Sequence, residues 1–250
     1  LMETVDATTL ATVVTAFLVA GVVKGALGMG LPMISMTIMG TALGLWEAIP
    51  TLMIPSFLAN LWQFSRPNPI WPLVKRFGAM NFAACLGIWI STAFLFGIDA
   101  FVVNTIFGVV VILYAGVHLT WVEWTIPCEK EKQWGVPVGF FAGLLTGVSG
   151  LLLLPLVIYL QTLKLDKDTF VQAAGLSMFI ATVIWAAALY GEGAMTVRAW
   201  TLSAIAVPPV VVGLAVGIWL RGKIREDVFR SVVYIFLILL SANVVRKGFM

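Results

Sequence analysis

The chain has 250 residues, of which 61% are hydrophobic and 11% charged, against roughly 45–50% and about 25% in soluble domains. With a mean hydropathy of +1.03 its main solvent is lipid, and at roughly 20 apolar residues per span the length holds about seven or eight buried segments and no separate soluble domain. A formal charge of +3 is too small to point to nucleic acid.

Eight apolar segments are predicted, at residues 10–45, 48–64, 72–97, 101–121, 135–163, 168–190, 198–220 and 228–246. The leading residues carry Glu3 and Asp6 where a signal peptide would carry basic residues, so none is expected. The first segment contains Phe17-Leu-Val-Ala-Gly-Val-Val-Lys-Gly-Ala-Leu-Gly-Met-Gly-Leu-Pro32, a run of lipid-like hydropathy holding a lysine, four glycines and a proline. The fifth echoes it: Phe140 to Pro155 lays Gly143, Gly147 and Gly150 over Gly21, Gly25 and Gly28. Both segments exceed one span, and both are broken by glycine and then proline. The apolar pieces flanking Gly150 would be ~20 Å each, short of a ~30 Å hydrocarbon core. Each is therefore expected to be a broken or re-entrant helix.

The remaining stretches add local expectations. Arg66–Pro72 reads as a stiff non-helical loop. Thr169 with Gln172 reads as a capping box opening segment 6. Pro208-Pro209 should kink or break segment 7. Leu86-Gly-Ile-Trp-Ile90 is echoed by Val216-Gly-Ile-Trp-Leu220, both near the ends of third segments. Trp46, Trp71, Trp121, Trp124, Trp134 and Trp200 stand at segment ends, as in an interfacial aromatic belt.

Charge placement selects a topology. If segments 1 and 5 return to their starting side, one face receives Arg66, Lys75, Arg76, Lys130, Lys132, Lys164, Lys167, Arg221, Lys223, Arg225 and Arg230. The other keeps Arg198, Arg246 and Lys247. Eight full crossings would split the basic residues much more evenly, and positive residues concentrate on the cytoplasmic side. The expected fold is thus an all-α polytopic membrane protein of two inverted repeats of four segments. Residues 1–125 form the first, 126–134 a cytoplasmic linker and 135–250 the second, with both termini periplasmic.

Paired interrupted segments point to a transporter's binding site. Glycine at a helix break lets the amides of the next half-helix face inward, where an anion is favoured. The candidate lining is Gly28, Met29, Gly30 and Leu31 at the first tip and Gly150, Leu151 and Leu152 at the second. Lys24 would supply positive charge, since a lysine inside an apolar segment marks function unless it snorkels to water. Its counterpart by position is Thr146, and Ser149 replaces Leu27. Asn60, Gln63, Asn81 and Ser177 could line a polar path or serve as interhelical hydrogen bonds. There is no paired nucleophile and base, metal-ligand spacing or phosphate loop, so neither enzyme chemistry nor a cofactor is expected. No acidic residue lies deep in a span, so the coupling ion is not named.

The run Gly21-xxx-Gly25-xx-Gly28-x-Gly30-x-Pro32, its echo from Gly143 to Pro155 and the duplicated layout resemble the sulfite exporter TauE/SafE family over essentially the whole chain. The resemblance implies a carrier of small sulfur-containing anions such as sulfite, sulfoacetate or another organosulfonate. It maps the family's glycine-rich tips onto Gly28–Leu31 and Gly150–Leu152, where this chain follows Gly150 with four leucines instead of a longer glycine run. The expectation is a secondary transporter of the bacterial inner membrane exporting such an anion by alternating access, its partners being the anion and the bilayer, with a homo-oligomer compatible. The competing readings are a channel-like anion pore, an intramembrane enzyme and a non-transporting structural subunit.

Overall fold

The structure, a computed structural model, describes residues 6–65, 69–119, 126–127, 130–151, 154–221 and 223, with single positions between 233 and 241. Leu152, Trp121, Trp124, Cys128 and Arg66–Asn68 lie outside the described residues, as does most of segment 8.

Every regular element among the described residues is a helix. In lipid an uninterrupted helix satisfies each backbone N–H and C=O within its own segment, and the composition leaves the chain little else to do. The elements are α1 (Ala7–Leu27), α2 (Leu31–Ala42), α3 (Leu45–Thr51), α4 (Met53–Phe64), α5 (Ile70–Leu95), α6 (Ala100–Leu119), α7 (Glu131–Ser149), α8 (Leu154–Thr162), α9 (Lys167–Gly191), α10 (Val197–Ile205) and α11 (Val207–Arg221). Four stretches are long and apolar enough to cross a bilayer: Ala7–Leu27, Ile70–Leu95, Asp168–Gly191 and Val197–Arg221.

Segment 1 breaks between α1 and α2, where Gly28 and Gly30 hold φ of 80° and 99°. A Cβ built on Gly30 would stand 3.3 Å from Val23 Cγ1. Seven residues along a continuous helix are separated by about 10 Å, so the chain has turned back on α1. Segment 5 breaks after α7 at Gly150, φ 70°. Here the return reaches the start: the Tyr159 hydroxyl donates to the Glu131 carbonyl at 2.6 Å, and Ile126 N–H donates to the Thr162 carbonyl at 3.3 Å. The limbs are unequal, however. α7 has 19 residues, about 28 Å, because its polar first turn is helical too. α8 has nine, about 14 Å.

Three local expectations change. Pro72 belongs to α5, as its third residue; a first-turn amide has no partner within the helix, so proline costs nothing there. α9 starts at Lys167 and is capped by Asp166, whose carboxylate accepts from Thr169 N–H at 3.0 Å. The Gln172 amide turns outward to the Phe64 carbonyl at 3.3 Å, so no capping box forms. Segment 2, expected whole, is interrupted at Leu52 between α3 and α4, with Pro50 and Pro55 on either side. Ile54 N–H then donates to Ser203 Oγ at 2.9 Å. Segment 7 is interrupted at Ala206, two residues before Pro208-Pro209.

The described chain forms two compact units that interleave its halves. Unit 1 comprises Leu1–Pro55, Asp99–Trp121 and Gly193–Met250; unit 2 comprises Ser56–Ile98 and Val122–Glu192. In unit 1, α1 lies along α11, the third segment of the other half. Cβ atoms on Gly21 and Gly25 would stand 2.7 and 2.5 Å from the carbonyl oxygens of Val210 and Leu214. In unit 2, α7 lies along α5, the third segment of the first half. There Gly143 abuts the Ala84 backbone, and Gly147 abuts Ile88 and Thr92.

Candidate functional site

Unit 1 builds the first tip from four consecutive local facts. α1 ends because Gly28 takes the left-handed conformation, its N–H closing on the Lys24 carbonyl at 2.7 Å. Nothing lies within 4 Å of a Cβ built there, so the backbone angle and not crowding requires glycine. Gly30 then serves as the N-cap of α2 with no side chain to cap it, and Leu31 and Pro32 open the helix. Leu31, Pro32 and Met33 are all buried. The amides of Leu31 and Met33 are first-turn donors with no partner inside α2, and proline has no amide to offer.

Lys24 stands in the last turn of α1 and is 4% exposed. A positive charge is favoured at a helix C-terminus, which offsets part of the cost of burying it. The first tip therefore brings together within eight residues a buried lysine and a buried helix start with no side-chain cap.

The second tip, in unit 2, is chemically different. Thr146 Oγ1 donates to the Ala142 carbonyl at 2.7 Å and stands 3.3 Å from the Leu151 carbonyl. Ser149 Oγ donates to the Leu145 carbonyl at 2.6 Å and accepts from Leu151 N–H at 3.4 Å. Both hydroxyl protons go to helix carbonyls. These side chains tie Gly150 and the buried Leu151 into a closed turn that carries no charge.

Asn60, Gln63, Asn81 and Ser177 are all buried, and all belong to unit 2. Asn60 Nδ2 donates to Thr182 Oγ1 at 3.2 Å, and Gln63 Nε2 to the Val171 carbonyl at 3.3 Å. Two of the four thus pin α4 to α9. Among the described residues, Gln63 Oε1, Asn81 Oδ1 and Ser177 Oγ find no hydrogen-bond partner, and neither do Ser56 Oγ, Thr92 Oγ1 and Trp185 Nε1. Ser56 and Trp185 were not anticipated from sequence. The spacing of Ser56, Asn60 and Gln63, one stripe of α4 at i, i+4 and i+7, was the available signal.

The family model described as sulfite exporter TauE/SafE matches residues 13–244. The chain belongs to this family. No curated protein and no solved structure matches it. Membership of the TauE/SafE family makes it a multi-pass membrane transporter of the sulfite-export kind, with a small anion as its cargo. Both glycine-broken segments fall inside the matched span, which takes in nearly all the TauE/SafE chain. No group of three or more His, Cys, Asp or Glu side chains able to hold a metal occurs among the described residues.

Proposed function

We propose that this TauE/SafE protein is a secondary transporter that exports sulfite, sulfoacetate or another organosulfonate across a bacterial inner membrane. The observation that carries the reading is the buried start of α2, uncapped by any side chain, beginning seven residues after the buried Lys24. A buried helix end needs partners for its amides. Sulfonate oxygens supply acceptors there, and the lysine adds a charge-assisted bond. Gly28, Met29, Gly30 and Leu31 shape this point. Gly150 and Leu151, with Thr146 and Ser149, shape the uncharged counterpart in the second repeat, where the hydroxyls hold the turn and the backbone meets the substrate.

The inverted repeat is supported by the two helix crossings. Adding 122 converts Gly21 and Gly25 of α1 into Gly143 and Gly147 of α7. Adding 126 converts Ala84 and Ile88 of α5 into Val210 and Leu214 of α11, and each glycine meets the corresponding carbonyl. One packing solution thus occurs twice, each hairpin taking the third segment of the other repeat. In this reading transport proceeds by alternating access with both termini periplasmic, an orientation that the uneven distribution of basic residues supports.

The test is uptake of labelled sulfite or sulfoacetate into proteoliposomes holding the purified protein. Wild type gives saturable flux. Lys24→Met abolishes it while the protein stays folded and monodisperse in detergent. Unchanged flux in that variant removes Lys24 from the mechanism, and flux that never saturates replaces the carrier by a pore.

A further inference from the structure

Trp185 is a fully buried tryptophan whose indole N–H finds no acceptor among the described residues. That nitrogen can only donate, so burial leaves it needing an acceptor, at the cost of its lost hydration if none is found. Its surroundings in unit 2 can be placed from the way α4 meets α9. Asn60 bonds Thr182, while farther along α4 Gln63 bonds the Val171 carbonyl and the Phe64 carbonyl accepts from Gln172. Rising numbers on α4 meet falling numbers on α9, so the two helices are antiparallel. The Thr182 hydroxyl also donates to the Met178 carbonyl at 2.7 Å, which fixes the Asn60–Thr182 bond as a pin between the helices.

One turn from that pin, in the same direction along both helices, stand Ser56 and Trp185. Ser56 precedes Asn60 by four residues, about 6 Å of rise, and Trp185 follows Thr182 by three, about 4.5 Å. Each faces within about 60° of its pin residue. Ser56 Oγ is also buried and has no hydrogen-bond partner among the described residues. Two neutral donors, an indole N–H and a hydroxyl, therefore stand about one turn beyond the pin on facing helices, and neither serves the other. Gln63 Oε1, an acceptor that would repel an anion, sits about 10 Å farther along α4. Its direction is fixed, because reversing that amide would set its oxygen against the Val171 carbonyl.

We propose that Trp185 Nε1 and Ser56 Oγ form a second anion-binding point, carried by unit 2, that holds two oxygens of a sulfite or sulfonate without a formal charge. The anion class rests on the transport reading above; the site rests on the two buried donors. Neutral donors are suited to a transport station, since they bind an oxyanion while leaving its release cheap.

The test is calorimetric titration of the purified full-length protein in detergent with sulfite and with sulfoacetate. Trp185→Phe keeps most of the ring and removes the N–H. The expected result is a Kd weakened about 10- to 100-fold, the range for a hydrogen bond to a charged group, together with loss of the anion-induced change in tryptophan emission. An unchanged Kd and unchanged emission response mean that water satisfies Trp185, and overturn the proposal. If the phenylalanine variant does not fold, Ser56→Ala decides: weakened binding supports the site, and wild-type binding overturns it. Should wild type bind neither anion, the transport reading fails first and takes this site with it.

Discussion

The α1–α11 crossing gives a quantitative expectation for Gly25→Ala. The added Cβ would lie 2.5 Å from the Leu214 carbonyl oxygen and 2.9 Å from Gly217 Cα and Ile218 N. All three are backbone atoms of another helix, so no side chain can rotate away. Reaching an ordinary contact of about 3.5 Å requires the helices to separate by about 1 Å, and a gap of that size forfeits a quarter to a half of each dispersion contact it opens. With roughly 20 atom pairs at about 0.1–0.2 kcal/mol each across the seam, the loss is about 0.5–2 kcal/mol. Strain adds to this within the usual overpacking range of about 1–3 kcal/mol. Alanine's better helix propensity returns about 1 kcal/mol. The net expectation is a loss of about 0.5–4 kcal/mol, read as a lower thermal-unfolding midpoint by fluorescence-detected size exclusion in detergent. Gly78→Ala is the control: nothing lies within 4 Å of a Cβ there, so only the propensity gain of about 1 kcal/mol remains. Equal midpoints for the two variants would refute the close-approach argument.

Gly28→Val should destabilise the first tip through its backbone angle alone, by about 1–2 kcal/mol, whereas Gly28→Asn should cost less because asparagine tolerates the left-handed region. Equal losses in thermal midpoint would show that φ is not what selects glycine. Hydrogen bonds from Thr169 hold the Asp166 carboxyl below its ordinary range, so its capping contribution is present above that range and is lost as pH falls through the lowered value. The stability difference between wild type and Asp166→Ala should accordingly be constant above about pH 5 and shrink below about pH 4. A difference that grows on acidification contradicts the cap.

Much of the site was legible because its signals are local. Gly28, Gly30 and Gly150 can take positive φ at no steric cost, and each stands just before a proline or a leucine run that restarts the chain; Pro208-Pro209 removes consecutive amides from a helix, so each break could be read from a few adjacent residues. The same signal at Pro50 and Pro55 was available and passed over. Lys24 stood out by its cost in an apolar run. Ser56 and Trp185 did not, because a serine or tryptophan in a span is ordinary until its neighbours are known to leave it without a partner.

Which helices pair, and in what register, was settled by packing. The similar Leu86–Ile90 and Val216–Leu220 runs suggest Gly87 as the counterpart of Gly217. In the structure Gly87 meets Phe140 and Leu144 as Gly213 meets Leu18 and Val22, one turn away. A shift of four residues keeps small side chains on nearly the same helix face, so composition cannot choose between the registers; only the carbonyl each glycine must clear does so. The residues themselves determined a lipid-dwelling, all-helical chain with two glycine breaks, since those depend on transfer energy and backbone sterics. The tertiary structure decided that each hairpin beds against a helix from the opposite half, because that choice depends on complementary surfaces far apart in the chain.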